Sequence, residues 1–151
     1  MTSAVEVQAF INEPAIAVVG VSRSGGKFGN FARRELQSKG YRVYPIHPSA
    51  TEIDGARCYP SFAALPERVN AALVVVPPFK AAAVVRDAAA AGVHHLWLQQ
   101  GAESAEVLKL CEQLGLGVVA GECVLMFAQP TSYHLVHRWI WKALGRLPSG
   151  A

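Results

Sequence analysis

The sequence is poor in the residues that staple a small fold or hold a metal. Its three cysteines, Cys58, Cys111 and Cys123, are scattered along 151 residues, whereas disulfide frameworks and zinc sites draw on closely paired ligands. A reducing compartment is the expectation. Long hydrophobic runs are also missing. No apolar stretch approaches the roughly 20 residues a membrane-spanning helix needs, and the opening MTSAVEVQAFINEP shows no basic segment followed by a hydrophobic core and cleavage site. The expected location is the cytoplasm, with no membrane partner. Excess charge is small, a formal +3, too weak a field for a nucleic-acid partner. A hydrophobic content of 52% excludes disorder, and the length suits a single domain spanning residues 1–151.

What is present is an alternation of short apolar runs and helical segments. The runs IAVVGV (16–21), RVYPIHP (42–48), AALVVV (71–76), HHLWLQ and LGVVAG (116–121) read as strands buried on both faces and stopped by glycine or proline. Between them lie helical segments. The first begins at Phe28, with Phe28, Phe31 and Leu36 on one stripe and Gly40 as its cap. A second, alanine-rich one covers 79–92, and a third covers 103–115 with Val107, Leu108, Cys111 and Leu114 on the buried face. Strands separated by helices require parallel crossovers. The predicted class is α/β: a Rossmann-like, doubly wound, parallel five-stranded sheet, flanked by an N-terminal helix (3–11) and a C-terminal helix (about 133–145).

The turn after the first strand, GVSRSGGKFG, combines glycines with Arg23 and Lys27. Glycine lets backbone approach a phosphate, and the first amides of the following helix add N–H groups and a positive dipole end. Six cations (Arg23, Lys27, Arg33, Arg34, Lys39, Arg42) against the single acid Glu35 between Ser22 and Arg42 point to a phosphorylated small ligand. The turn departs from GxGxxG, having Ser22 at the second glycine. The second strand ends in His47-Pro48, where a nicotinamide site places an acid for the ribose hydroxyls. A ribose carrying phosphate is favoured, as in NADP or coenzyme A, and the residues by themselves leave both open.

The segments IAVVGVSRSGGKFGN, GYRVYPIHP, CYPSFAALP, VVVPPFKAAAVVRDAAAAGVHHLWLQQGAES and LGLGVVAGECVLMF together resemble the stand-alone coenzyme A-binding domain family, and more distantly the N-terminal domain of the succinyl-CoA synthetase alpha subunit. The resemblance runs from Ala15 to Phe127. It implies that Gly20, Val21, Ser22, Arg23, Ser24, Gly26 and Lys27 hold the coenzyme's phosphates, and that His47 and Pro48 line the ribose. It further implies that Val76, Pro77 and Pro78 flank the pantetheine arm, which Leu98, Gln99, Gln100 and Gly101 also meet. The implied cofactor is coenzyme A or an acyl-CoA. No histidine matches the synthetase's phosphohistidine, which lies in a second domain, so binding without ligase chemistry is expected. The alternatives are an NADP-dependent oxidoreductase, against which stands the lack of a positioned acid–base group, and a coenzyme-sensing regulatory domain.

Cys123 falls where the family has a cysteine near the ligand's thiol, so a mixed disulfide with the coenzyme is one role for it. An inert small hydrophobe is the role ordinarily taken by a buried cysteine, and it is the one expected. His134 and His137 lack further ligands nearby, and no metal is expected. The C-terminal helix, with Trp139, Ile140, Ala143 and Leu144 among Arg138, Lys142 and Arg146, is expected to pack on the sheet, a second copy or a docking partner. Arg33 and Arg34 read as solvated charges, and Glu103 and Glu106 as acids favouring a helix start.

Overall fold

In a computed structural model, which describes residues 2–128, alternating side chains sort the apolar runs onto two faces of one sheet. Strands β1 (Ala15–Val19), β2 (Arg42–Ile46), β5 (Ala71–Val74), β6 (His95–Leu98) and β7 (Gly117–Ala120) are parallel and lie in the order β2-β1-β5-β6-β7. Between β2 and β5 comes an antiparallel hairpin, β3 (Glu52–Ile53) and β4 (Ala56–Arg57). Because a strand has a side-chain period of two, Ile16, Val18, Leu73 and Trp97 face one layer while Ala17, Ala72, Val74, Leu96 and Leu98 face the other. Helices α1 (Ala4–Ile11) and α2 (Phe28–Ser38) cover the first face through Val7, Phe10 and Leu36. Helices α3 (Pro78–Ala90) and α4 (Ala105–Gln113) cover the second through Val85, Val107 and Cys111. The doubly wound Rossmann-like architecture is therefore the one the alternation predicts.

The first layer is centred on Trp97, which has its ring 5.2 Å from Phe10 and 5.6 Å from Phe127. Its indole N–H donates to the Glu122 carbonyl at 2.9 Å, meeting the polar need of a fully buried indole.

Several expectations need correction. The strands at 16–21, 42–48 and 71–76 each end about two residues early, at Val19, Ile46 and Val74, because Gly20 has a φ of +121° and Pro48 and Pro77 have no N–H for a ladder. Phe31, Leu108 and Leu114 are exposed. The face that α2 turns inward consists of Gly29, Asn30, Ala32, Arg33 and Leu36. Arg33 is accordingly not solvated. It is only 4% exposed, with one N–H donated to Gln37 Oε1 at 2.9 Å. The C-terminal helix and its proposed docking face, with His134 and His137, lie outside the described residues.

Candidate functional site

The residues by which the predicted strands overrun are the walls of a cleft. It has a volume of about 420 Å³ and opens where β1, β2 and β5 end, lined by Gly20 to Ser22 and Lys27, by Ile46 to Pro48, and by Val75 to Pro77 with Lys80 and Val84. In an open parallel sheet this is where ligands bind. Two glycines make the approach possible. A Cβ on Gly20 would collide with the Val75 carbonyl oxygen, and one on Gly29 with the carbonyl oxygen of Gly20.

Asn30, fully buried in the first turn of α2, shapes the loop. Its Oδ1 accepts the Ser22 N–H and its Nδ2 donates to the Ser22 carbonyl, both at 2.9 Å. The same Nδ2 reaches Asp54 Oδ2 at 3.3 Å, and Arg34 donates to that oxygen at 2.8 Å. The β3–β4 turn is thereby tied to the back of the glycine loop. Within the loop, Gly25 N–H donates to the Ser22 carbonyl at 3.0 Å and the Ser22 and Ser24 hydroxyls lie 3.0 Å apart.

Helices α2 and α3 both start at this cleft, and they differ from the other two. Ser3 and Ser104 cap α1 and α4 with their side chains. The N-cap residues of α2 and α3 are Lys27 and Pro77, which make no such bond. Two helix starts without a side-chain acceptor, each with a lysine beside it, make the cleft a place for an anion. Lys27 carries the first of these charges. Lys80, whose Nζ lies 5.8 Å from the exposed Phe79 ring, carries the second and was not foreseen; a cation in the first turn after a strand ending in Pro-Pro was its available signal. No carboxylate lines the cleft.

At the β2 end, His47 Nδ1 accepts the N–H groups of Ser49 and Ala50 at 3.1 and 2.9 Å. Burial and the nearby Arg23 charge push its pKa below the usual histidine value. With Nδ1 accepting two N–H groups, the ring N–H belongs on Nε2. Arg23 itself crosses from the glycine loop to donate to Ser49 Oγ at 2.8 Å.

Not every predicted site residue reaches the cleft. Gly20, Val21, Ser22, Lys27, His47, Pro48, Val76 and Pro77 line it; Arg23, Ser24, Gly26 and Pro78 do not, standing on the outer loop or at the start of α3. Leu98, Gln99, Gln100 and Gly101 form a separate place after β6. Leu98 and Gln99 are buried there, with Gln99 Oε1 accepting the Val124 N–H at 3.2 Å, and Gln100 donates to the Gly121 carbonyl at 3.1 Å. This segment braces the loop after β7, and the N–H of Gly101 goes to the Glu103 carboxylate at 2.9 Å. Cys123 is half-buried against the first core layer and lines no part of the cleft. Its neighbour Glu122, also unforeseen, is buried with Oε2 unpartnered, and burial pushes its carboxyl pKa up. The basic cluster is dispersed: Arg34 pairs with Asp54 and Arg42 with Glu67. No group of three or more His, Cys, Asp or Glu side chains forms a metal site among the described residues, and no helix among them is long and apolar enough to cross a membrane.

A Rossmann-like sheet with a cleft at its switch point places the chain in the class of doubly wound α/β proteins. Within that class the chain belongs to the CoA binding domain family, whose pattern matches residues 14–129. It is similar to the ADP-forming acetate–CoA ligase I of Archaeoglobus fulgidus, at 29% identity over 74% of this chain and 18% of the ligase. The chain therefore spans about a fifth of that relative's length. Among solved structures it resembles a conserved hypothetical protein from Pyrococcus furiosus, with 40% identity, a TM-score of 0.69, and coverage of 74% of this chain and 96% of that one. It also resembles the dinucleotide-forming acetyl-coenzyme A synthetase 1 of Ca. Korarchaeum cryptofilum in complex with phosphate and ADP, at 33% identity and a TM-score of 0.66, over 75% of this chain and 26% of that one.

Proposed function

We propose that the chain binds coenzyme A, free or acylated, in the cleft at the ends of β1, β2 and β5, and performs no ligation of its own. The observation that carries this reading is the convergence of the glycine loop, two helix starts without side-chain caps, Lys27 and Lys80 on one cleft in a member of the CoA binding domain family. In the complex the diphosphate lies over Ser22, Lys27 and the start of α2, where backbone N–H groups and lysine replace its hydration. The nucleotide extends past His47 and Pro48. The pantetheine arm runs along Val76 and Pro77, an apolar wall whose proline has no N–H to leave unpaired, towards Gln99, Gln100 and Gly101.

Two features of the lining support a reading without ligation. The cleft offers no carboxylate, and the base position of its histidine, Nδ1, is already occupied by two backbone N–H groups. The ligase chemistry implied by the resemblance runs through a phosphohistidine in a second domain, and no histidine of this sequence matches it.

Calorimetric titration with coenzyme A, acetyl-CoA, NADP and NAD tests the reading. Coenzyme A or its acetyl form is expected to bind more tightly than either nicotinamide. Saturation by NADP with no heat from coenzyme A would overturn it.

A further inference from the structure

Arg33 is the only buried cation among the described residues. Its Nη1 donates to Gln37 Oε1 at 2.9 Å, while its Nε is buried without a hydrogen-bond partner and no carboxylate among those residues forms an ion pair with it. A guanidinium taken out of water normally has an anion beside it, because desolvating the charge is costly and an unpaired donor adds to that cost. Asp54, in the turn of the facing hairpin, does not fill that role. Its Oδ2 accepts from Arg34 at 2.8 Å and from Asn30 at 3.3 Å, and its Oδ1 lies beside Gly25. Arg33 borders a cavity of about 430 Å³ between the C-terminal half of α2 and the β3–β4 hairpin, lined also by Arg34, Gln37, Ser38 and the turn from Asp54 to Ala56. This cavity shares no residue with the cleft at the strand ends. Two arginines against one carboxylate leave it one positive charge in excess. Because Gln37 accepts Arg33 through its oxygen, its amide N–H groups remain to donate, whereas the Ser38 hydroxyl already donates to the Glu35 carbonyl at 2.7 Å.

We propose that this cavity is a second anion site, which binds a phosphate group through Arg33, Arg34 and the Gln37 amide. The inference does not depend on what the cleft binds. A planar carboxylate is satisfied by one guanidinium, whereas two guanidinium groups and an amide around one cavity suit an oxyanion that presents acceptor oxygens in several directions. The phosphate supplies the counter-charge that the fold withholds from Arg33. It can be the free ion or the head of a small phosphomonoester, so both belong in the test.

The test is an amide-resolved NMR titration of the full chain with inorganic phosphate, glycerol 3-phosphate and acetate, at an ionic strength held constant with chloride. Phosphate or its monoester is expected to shift the amides of Gln37, Ser38, Gly55 and Ala56 saturably, with a dissociation constant of about 10 mM or tighter. Tighter binding of glycerol 3-phosphate than of phosphate supports a site for a monoester, and the reverse supports a site for the free ion. Arg33→Met is expected to weaken the response roughly tenfold or more, and Arg33→Lys to restore part of it. No saturable shift at these four amides with either phosphate would overturn the proposal, and this map on the parent chain decides the matter even where a variant folds poorly. So would shifts confined to Gly20, Val21, Ser22 and Lys27, which belong to the cleft, an equal response to acetate, or a response that Arg33→Met leaves unchanged.

Discussion

Asn30→Ala probes the account at its hinge, because one buried amide joins the glycine loop to the hairpin behind it. The substitution deletes two bonds at 2.9 Å, to the N–H and carbonyl of Ser22, and a weaker one at 3.3 Å to Asp54. A neutral hydrogen bond contributes about 1 kcal/mol net, and a partner left unsatisfied costs about 1–3 kcal/mol more if water does not reach it. Ser22 is at a cleft that admits solvent, so the lower part of that range applies, giving a loss of roughly 2–3 kcal/mol. For a chain of this size that corresponds to a melting temperature lower by roughly 5–10 °C. Asn30→Asp is expected to be no milder, since a carboxylate cannot donate to the Ser22 carbonyl and would face Asp54. The assay is urea and thermal unfolding of the three proteins, followed by coenzyme A titration under conditions where each is folded. Unfolding free energies within about 0.5 kcal/mol of the parent, together with unchanged affinity, would refute the argument that Asn30 sets the loop.

Two further outcomes follow from the charges. Lys27→Ala and Lys80→Ala are each expected to weaken coenzyme A roughly tenfold at low salt and to flatten the dependence of affinity on ionic strength, measured by titration between low and high salt; an unaltered salt dependence in both would remove the lysines from the site. Glu122 has its carboxyl pKa raised by burial, so its contribution to stability is present below the unfolded value and lost as pH rises through the folded one. Glu122→Gln should therefore melt close to the parent near pH 4 and progressively above it towards pH 8, and a difference independent of pH would contradict this.

The sheet is legible in the sequence because buried parallel strands leave unbroken apolar runs, and glycine or proline marks each exit. The cleft is legible for the same reason: Gly20, Pro48 and Pro77 are needed where the backbone leaves the ladder, so the punctuation of the strands is also the lining of the site. The β3–β4 hairpin was hidden, although Asp54-Gly55 is a favoured two-residue turn, with φ of +53° and +75°, because its strands are two residues each and carry no period. Arg33 was misread since its charge suggests solvent, while its place three residues after Asn30 sets it on the inward face of α2. Phe31 errs in the other direction; it sits outside that face, with its ring 6.3 Å from Phe28. Asn30 and Lys80 carried signals of position alone. Each is in the first turn of a helix that starts at the sheet's switch point, and only the register of that turn decides whether its side chain meets the loop or the cleft.

The most direct measurement is a crystal structure of the protein grown with coenzyme A. The account predicts diphosphate density between Ser22 and Lys27 at the start of α2, the ribose beside His47, and the thiol-bearing arm along Val76 and Pro77. Density for the coenzyme elsewhere on the molecule, with this cleft closed by its own side chains, would contradict it.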